Sequence, residues 1–401
     1  MKGLPSLVIL GCLVYSDCII AQEWKGECIG YYQLLLPDGL EVALYPVNLI
    51  IAPLENPAWQ KNTLVSRYLF PKISFGENRY QSNGDTVQAQ FSVFHYADYD
   101  VVVSSENKST IDLLKYEKEF KERTDNRIQD YWDKRNHKLS MKLPVLPKDI
   151  AERSLAYSID NYDNAFSATD SGGYSLFVNN GNRLFIFKKA DKVQSLDEQL
   201  NKSRPEMLSL LKRFQPRKLY EVPEKQGFCL PYGFIAGDSG HEKRNMAVTY
   251  RLKNHPDVTI FFQDLGMMNP QAGEEDDLNE KDYMAWLWSW DFQAGATSKE
   301  LIKPKWRSIK MDGRDGTGTF VKGTYKNVPV YDYKGHVSNR LNYINYGYAA
   351  YVQGNHKARN LEPDLLLYVM QDSRQLKNQP PMDKGELEKM AEHIISSIKR
   401  R

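Results

Sequence analysis

The sequence predicts an α+β fold of two domains, each mainly antiparallel sheet with packed helices, on a duplicated plan. Three observations predict it. First, two cysteine-centred stretches echo each other about half the chain apart: Gly26-Glu27-Cys28-Ile29-Gly30-Tyr31 and Gly227-Phe228-Cys229-Leu230-Pro231-Tyr232. Second, each stretch opens a series of strand-like segments, and each series closes on an amphipathic helix. Third, the chain has 401 residues, which is enough for two domains of ordinary size.

The first unit starts with strands Tyr31 to Leu36 and Leu40 to Leu49, joined by the turn residues Pro37, Asp38 and Gly39. Val87 to His95 alternates as a strand, and Val101 to Val103 continues in that style. The period then changes. Leu113, Tyr116, Phe120, Thr124, Ile128 and Tyr131 fall three or four apart and mark one face of a long helix, with Ser109 and Asp112 as its expected capping box. Lys115, Glu117, Lys118, Glu122 and Arg123 fill the other face, a solvated surface to which no chemistry is assigned. Tyr174 to Val178 and Arg183 to Lys188 flank Asn179-Asn180-Gly181-Asn182, a tight hairpin. A helix follows through Leu196, Leu200, Met207, Leu208, Leu211 and Phe214, with a break or restart expected at Pro205. The polar stretch from Pro216 to Gly227 is the expected linker.

The second unit repeats the order. Met246 to Leu252 and Val258 to Asp264 read as paired strands. Phe320 to Tyr325, Val328 to Tyr333, Tyr346 to Val352 and Leu365 to Met370 are further strands. Leu387, Met390, Ile394, Ile395 and Ile398 give the apolar face of the closing helix. The domains are therefore placed at 22–217 and 218–401.

Residues 1–21 form a leader. Lys2 precedes a mostly apolar run from Leu4 to Ala21, interrupted by Pro5 and Asp17, which fits a secretory signal peptide cut after Ala21. A second reading is a lipoprotein signal, Ile9-Leu10-Gly11-Cys12, with a lipid anchor on Cys12. Cleavage after Ala21 removes Cys12 and Cys18 and leaves Cys28 and Cys229 in a compartment that permits disulfides. Two readings of that pair stand: a disulfide joining the halves, or two separate buried thiols acting as small hydrophobes.

Composition is that of an ordinary globular protein, 41% hydrophobic and 26% charged, and the net charge of +2 calls for neither nucleic acid nor an anionic membrane. Gly237-Asp238-Ser239-Gly240 has the look of a serine nucleophile segment, but that chemistry needs a histidine base and a carboxylate orienting it. His95 and His137 lack the flanking sequence for that role, and a turn is the simpler reading. Glu274, Glu275, Asp276, Asp277, Glu280 and Asp282 lack the spacing and glycine of a calcium loop. They read as a solvated loop or helix start, or as a contact for a basic partner surface. Trp286, Trp288 and Trp290 alternate and would share one face of a strand, as core or as an exposed binding row. Gly313, Gly316 and Gly318 are not followed by the Lys-Ser/Thr of a phosphate loop. The seven histidines are scattered, with no metal cluster visible. No catalytic residues, metal or cofactor are expected.

The halves resemble the N- and C-terminal domains of periplasmic immunity proteins that neutralise type VI secretion lipase effectors. The residues carrying the resemblance are Cys28-Ile29-Gly30-Tyr31-Tyr32 with Pro37, and Gly227-Phe228-Cys229-Leu230 leading to Gly233-Phe234-Ile235. A third segment is Tyr351-Val352-Gln353-Gly354 followed by Pro363-Asp364-Leu365-Leu366-Leu367-Tyr368-Val369-Met370. The family often has Trp-Glu ahead of that glycine, where this chain has Tyr351 and Val352. The resemblance implies a two-domain clamp, without chemistry of its own, that binds a cognate phospholipase in the periplasm of a Gram-negative bacterium and blocks its active-site access or its lid. It locates no contact residues; the acidic run Glu274 to Asp282 is the surface expected to contribute. Two other classes stand beside this one: a secreted glycan- or lipid-binding module using the aromatic-rich strands, and a serine hydrolase using Ser239.

Overall fold

A computed structural model of the chain describes residues 23–44, 47, 74–75, 93–267, 279–288, 295–332, 334–355, 357–376 and 378–401. The leader, Glu274 to Asp277, Trp290 and most of the expected strand from Val87 lie outside these residues. The described chain begins with β1 (Trp24–Ile29), β2 (Tyr32–Pro37), β3 (Leu40–Leu44), β4 (Ser74–Phe75), β5 (Val93–Tyr96) and β6 (Tyr99–Val103). Helices α1 (Leu113–Ser140) and α2 (Lys148–Leu155) precede β7 (Tyr157–Tyr162), β8 (Ala165–Asp170), β9 (Gly173–Asn180) and β10 (Arg183–Ala190). The first half closes with α3 (Leu196–Arg213) and β11 (Phe214–Pro216). The second opens with β12 (Gly227–Leu230), β13 (Gly233–Ala236), β14 (Arg244–Leu252), β15 (Val258–Leu265) and α4 (Glu280–Trp286). It continues through β16 (Ser298–Leu301), β17 (Arg307–Met311), β18 (Arg314–Tyr331), β19 (Val337–Val352) and β20 (Asp364–Gln371), then α5 (Lys384–Ser397) and β21 (Lys399–Arg400).

The predicted α+β class with antiparallel sheets is the observed one. Among the described residues one fifteen-stranded sheet runs through both halves, in the main order β16-β18-β19-β20-β15-β14-β5-β6-β10-β9-β8-β7. The halves join along one edge of β14, which meets β5 at Arg244↔Tyr96 and Asn245↔His95 and meets β3 at Tyr250↔Val42, Arg251↔Glu41 and Leu252↔Leu40.

Alternation along the strands sends side chains to two faces. On one face Val101, Val103, Phe185 and Phe187 of the first half, and Val248, Ile260, Leu367 and Val369 of the second, share a core with α3 (Met207, Leu210) and α5 (Leu387, Met390, Ile394, Ile395). On the other face α1 lays Leu113, Tyr116 and Phe120 over Val102, Phe166, Phe177 and Ile186. There α4 covers Ala247, Phe261, Val321 and Tyr368. β15 and β20 are buried along their whole length, which is why both read as nearly unbroken apolar runs.

The duplication extends to the closing strands, and there the halves cross over. In each half a cysteine hairpin opens the unit and a helix ends it: β1–β2 with α3, and β12–β13 with α5. The strand after each helix then pairs with the other half's hairpin. β11 adds to β13, and β21 adds to β2, making two small three-stranded sheets. The residues that follow these strands repeat the pattern: Arg217 N–H donates to Tyr232 O at 3.1 Å, and Arg401 N–H to Tyr31 O at 2.9 Å. The expected linker is thus pinned at its start, with Arg217 6% exposed.

Four local expectations are corrected. The N-cap of α1 is Asp112, whose carboxylate accepts from Lys115 N–H at 3.1 Å; Ser109 lies outside the cap. α3 runs unbroken through Pro205. Pro205 and Asn201 are both exposed, so the carbonyl that loses its partner faces water. Phe320–Tyr325 and the expected strand from Val328, as far as Tyr331, are one strand, β18, interrupted by a bulge between Tyr325 and Val328; Tyr333 lies outside the described residues. Trp286 ends helix α4 and Trp288 lies two residues on, in the wider helical turn that continues it, so the pair does not alternate along a strand.

Candidate partner-binding surfaces

The two cysteine segments meet at the centre of the molecule. Gly30 and Cys229 exchange backbone hydrogen bonds, N–H to O at 2.9 Å in both directions, and the two cysteines form a disulfide. Both cysteines are completely buried, packed with Phe234. The Arg401 guanidinium donates to both sulfur atoms, at 3.0 Å to Cys28 and 3.2 Å to Cys229. Two buried ion pairs flank the junction: Glu27 with Arg217, and Arg244 with Asp264. Beside them Tyr31 and Tyr96 donate their hydroxyls to Asp238 at 2.8 and 2.9 Å, and burial raises the Asp238 carboxyl above its ordinary value. Thiols held in a buried disulfide are neither nucleophiles nor metal ligands, so this centre is a junction between the halves.

Gly30 is held at this junction by its backbone and by its neighbours. Its φ is +59°, and a Cβ there would meet Met246 Sδ at 2.8 Å and Asp264 Oδ2 at 3.1 Å. Gly30→Ala is therefore expected to destabilise the fold by about 1–3 kcal/mol, through the left-handed conformation and the crowding together. Urea unfolding measures it, and a change below a few tenths of a kcal/mol would remove this account.

The candidate chemical residues do not converge on a reaction. Ser239 Oγ donates to Glu242 at 2.9 Å and accepts from His241 N–H at 3.1 Å. The His241 ring nitrogen faces Arg400 instead, at 3.3 Å. The base-to-serine contact of a triad is not formed, and Gly237 and Gly240 take the positive φ of a turn. Asp312 and Gly313, with φ of 54° and 71°, make the two-residue turn between β17 and β18. Gly316 and Gly318 lie inside β18, where an added Cβ would strike Tyr351 O and Ile309. Of the acidic run, Glu280 and Asp282 are described. Both sit in the first turn of α4, where carboxylates complement the helix dipole. Glu280 accepts from Thr317 Oγ1 at 2.7 Å, and Asp282 pairs with the cap residue Asn279 at 2.6 Å.

Sequence reasoning missed an exposed apolar feature at the outer end of α1. Thr124 is the last fully buried residue of α1, and residues 125–140 continue as about 24 Å of helix at 1.5 Å per residue. The chain returns through residues 141–147 into α2. Five of the eleven large apolar side chains exposed among the described residues fall in this return or within three residues of it: Leu139, Met141, Leu143, Leu146 and Ile150. The outgoing helix and the returning chain enclose an open groove of about 680 Å³. Its walls are Tyr131, Lys134, Arg135, His137 and Lys138 on the helix, with Pro144, Val145, Leu146 and Pro147 opposite. Arg135 closes its floor, donating to Leu146 O at 3.2 Å while lying 5.5 Å over the Trp132 ring. The missed signal was the segment Leu139-Ser140-Met141-Lys142-Leu143-Pro144-Val145-Leu146-Pro147, apolar but with two prolines and no core-forming period.

Residues 221–401 match the family described as the Tle cognate immunity protein 4 C-terminal domain. This part of the chain is similar to that family. The matched region begins in the segment after Arg217 and takes in Cys229, the second hairpin, α5 and the closing strand β21. No curated protein matches the chain significantly. Among solved structures, the immunity protein TplEi of the type VI secretion system of Pseudomonas aeruginosa, complexed with "L" peptide, is 14% identical. That match covers 94% of this chain and 98% of TplEi at a TM-score of 0.49. The Tle4–Tli4 complex gives 16% identity over 94% of this chain and 97% of that one, at a TM-score of 0.46. Among the described residues no helix is long and apolar enough to cross a membrane.

Proposed function

We propose that the chain is an immunity protein that binds and neutralises a cognate type VI secretion lipase effector. The family match of residues 221–401 carries this reading. The proposed mode is stoichiometric, non-covalent occlusion of the effector's active-site access or lid, by a chain that is not itself an enzyme. The two halves, 22–217 and 218–401, act as its two domains. The periplasm is the proposed location, and the buried disulfide between Cys28 and Cys229 supports an oxidising compartment.

Inhibition by occlusion requires an interface that outlasts substrate encounters. A specific interface of about 1,600 Å² with nanomolar affinity meets that need. The expected result is a one-to-one complex with the lipase encoded by the neighbouring reading frame, and loss of its phospholipid hydrolysis at one molar equivalent. Size-exclusion chromatography and a lipase titration measure both. Absence of a complex at micromolar concentrations would overturn the reading.

A further inference from the structure

We infer that the arm formed by the outer half of α1 and its return to α2 seats an acidic, apolar segment of the effector protein in its groove. This rests on the proposed function and adds the partner's chemistry and the place where it docks.

Three observations carry the inference. The first is apolar exposure without a covering element. Leu143 and Leu146 stand 44% and 53% exposed beside the half-buried Tyr131 and Trp132. A concentration of this kind on an otherwise well-packed chain marks an interaction site.

The second is charge that the arm leaves unanswered. Most of its acidic groups are engaged locally: Asp125 with Tyr157 at 2.6 Å, Asp133 with Gln129 at 3.0 Å, Asp149 with Arg153 at 3.1 Å, and Glu152 with Lys148 at 3.6 Å, while Asp130 forms no ion pair with the groove's cations. Lys134, Arg135 and Lys138 line the groove with no carboxylate partner among the described residues. Lys134 and Lys138 stand four apart on one helix face, a like-charge spacing that weakens a helix unless an anion answers it. A carboxylate-bearing partner would supply that anion.

The third is shape. The apolar and basic side chains flank a concavity, which fits one inserted chain segment. A bilayer surface would call for a convex apolar face instead. Aromatic and arginine side chains around such a pocket are the residue types that dominate binding energy.

Two double variants of the full chain test this: Leu143→Ser with Leu146→Ser, and Lys134→Glu with Lys138→Glu. All four positions are exposed, so the melting temperature should hold. Each double variant is expected to bind the lipase of the neighbouring reading frame about 30-fold more weakly, equivalent to about 2 kcal/mol. The charge variant should also lose most of the salt dependence of association. Variants that bind like the parent chain overturn the inference and leave the proposed function standing. A parent chain that does not bind the lipase overturns both. Parent binding to vesicles containing phosphatidylglycerol, abolished in the variants while lipase binding is unchanged, overturns the inference in favour of a membrane surface. Conversion of a parent dimer to a monomer with unchanged lipase binding overturns it in favour of self-association.

Discussion

Replacing Arg217 with methionine is expected to lower the unfolding free energy by about 3–5 kcal/mol, the range for stripping one partner from a buried ion pair. The Arg217 and Glu27 side chains are 1% and 0% exposed. Arg217 Nε donates to Leu230 O and Gly233 O at 3.0 and 3.3 Å, and Nη1 to Lys218 O and Glu221 O, each at 3.1 Å. Nη2 reaches Cys28 O at 2.7 Å and the Glu27 carboxylate. One planar cation thus gathers carbonyls from both cysteine hairpins and from the strand connection between them, a fork that lysine cannot reproduce. Methionine keeps much of the stem volume but leaves Glu27 buried with only the Tyr220 N–H as donor. Urea unfolding gives the measurement. The double change Arg217→Met with Glu27→Leu should recover part of the loss, because it removes the orphaned charge as well. A loss under about 1 kcal/mol for the single change would contradict this account.

Removing the disulfide by Cys28→Ala with Cys229→Ala is expected to cost on the order of 5 kcal/mol, the chain-entropy value for a loop of this length. The bond closes a separation of 201 residues, so nearly the whole effect acts on the unfolded chain. The folded junction retains the Gly30–Cys229 backbone pair after the change. The double variant and the reduced parent chain should therefore unfold at the same lowered denaturant concentration. Alkylation of the unfolded, unreduced parent with recovery of two free thiols on Cys28 and Cys229 would sink the prediction. Because Arg217 donates to the Cys28 carbonyl, the two predicted losses should not add fully.

Much of the architecture was legible because local patterns decided it. Alternation marked the hairpin of β9 and β10, with Gly181 at φ 63° in its turn, and the 3.6 period marked α1 and α5. The tryptophan run misled because two periods compete there. Trp286, Trp288 and Trp290 alternate, but Tyr283, Met284, Leu287 and Trp288 form a helical stripe that Asn279 caps, and all four are buried. Burial of the stripe won over alternation. The crossing of β11 and β21 had no local signal, since a short strand of two or three residues is defined by its partner alone. The arm was hidden for another reason. Periodicity finds side chains that face a core, and Leu139 to Ile150 face none. The residues that hold the halves together were therefore half visible, as cysteines and glycines. Their charged supports, Glu27, Arg217, Arg244 and Asp264, came only from long-range pairing.

The crossed closing strands also set an order of events during synthesis. The hairpin made from residues 24–37 is among the first parts of the described chain to leave the ribosome, yet its third strand is residues 399–400. The other hairpin finds its third strand in residues 214–216, which emerge just before it. One small sheet can close early, while the other stays open until residues 399–400 have been made. Contacts of such long sequence separation form slowly. The hairpin of β1 and β2 is therefore made long before its third strand, and one of its edges stays unpaired until β21 arrives.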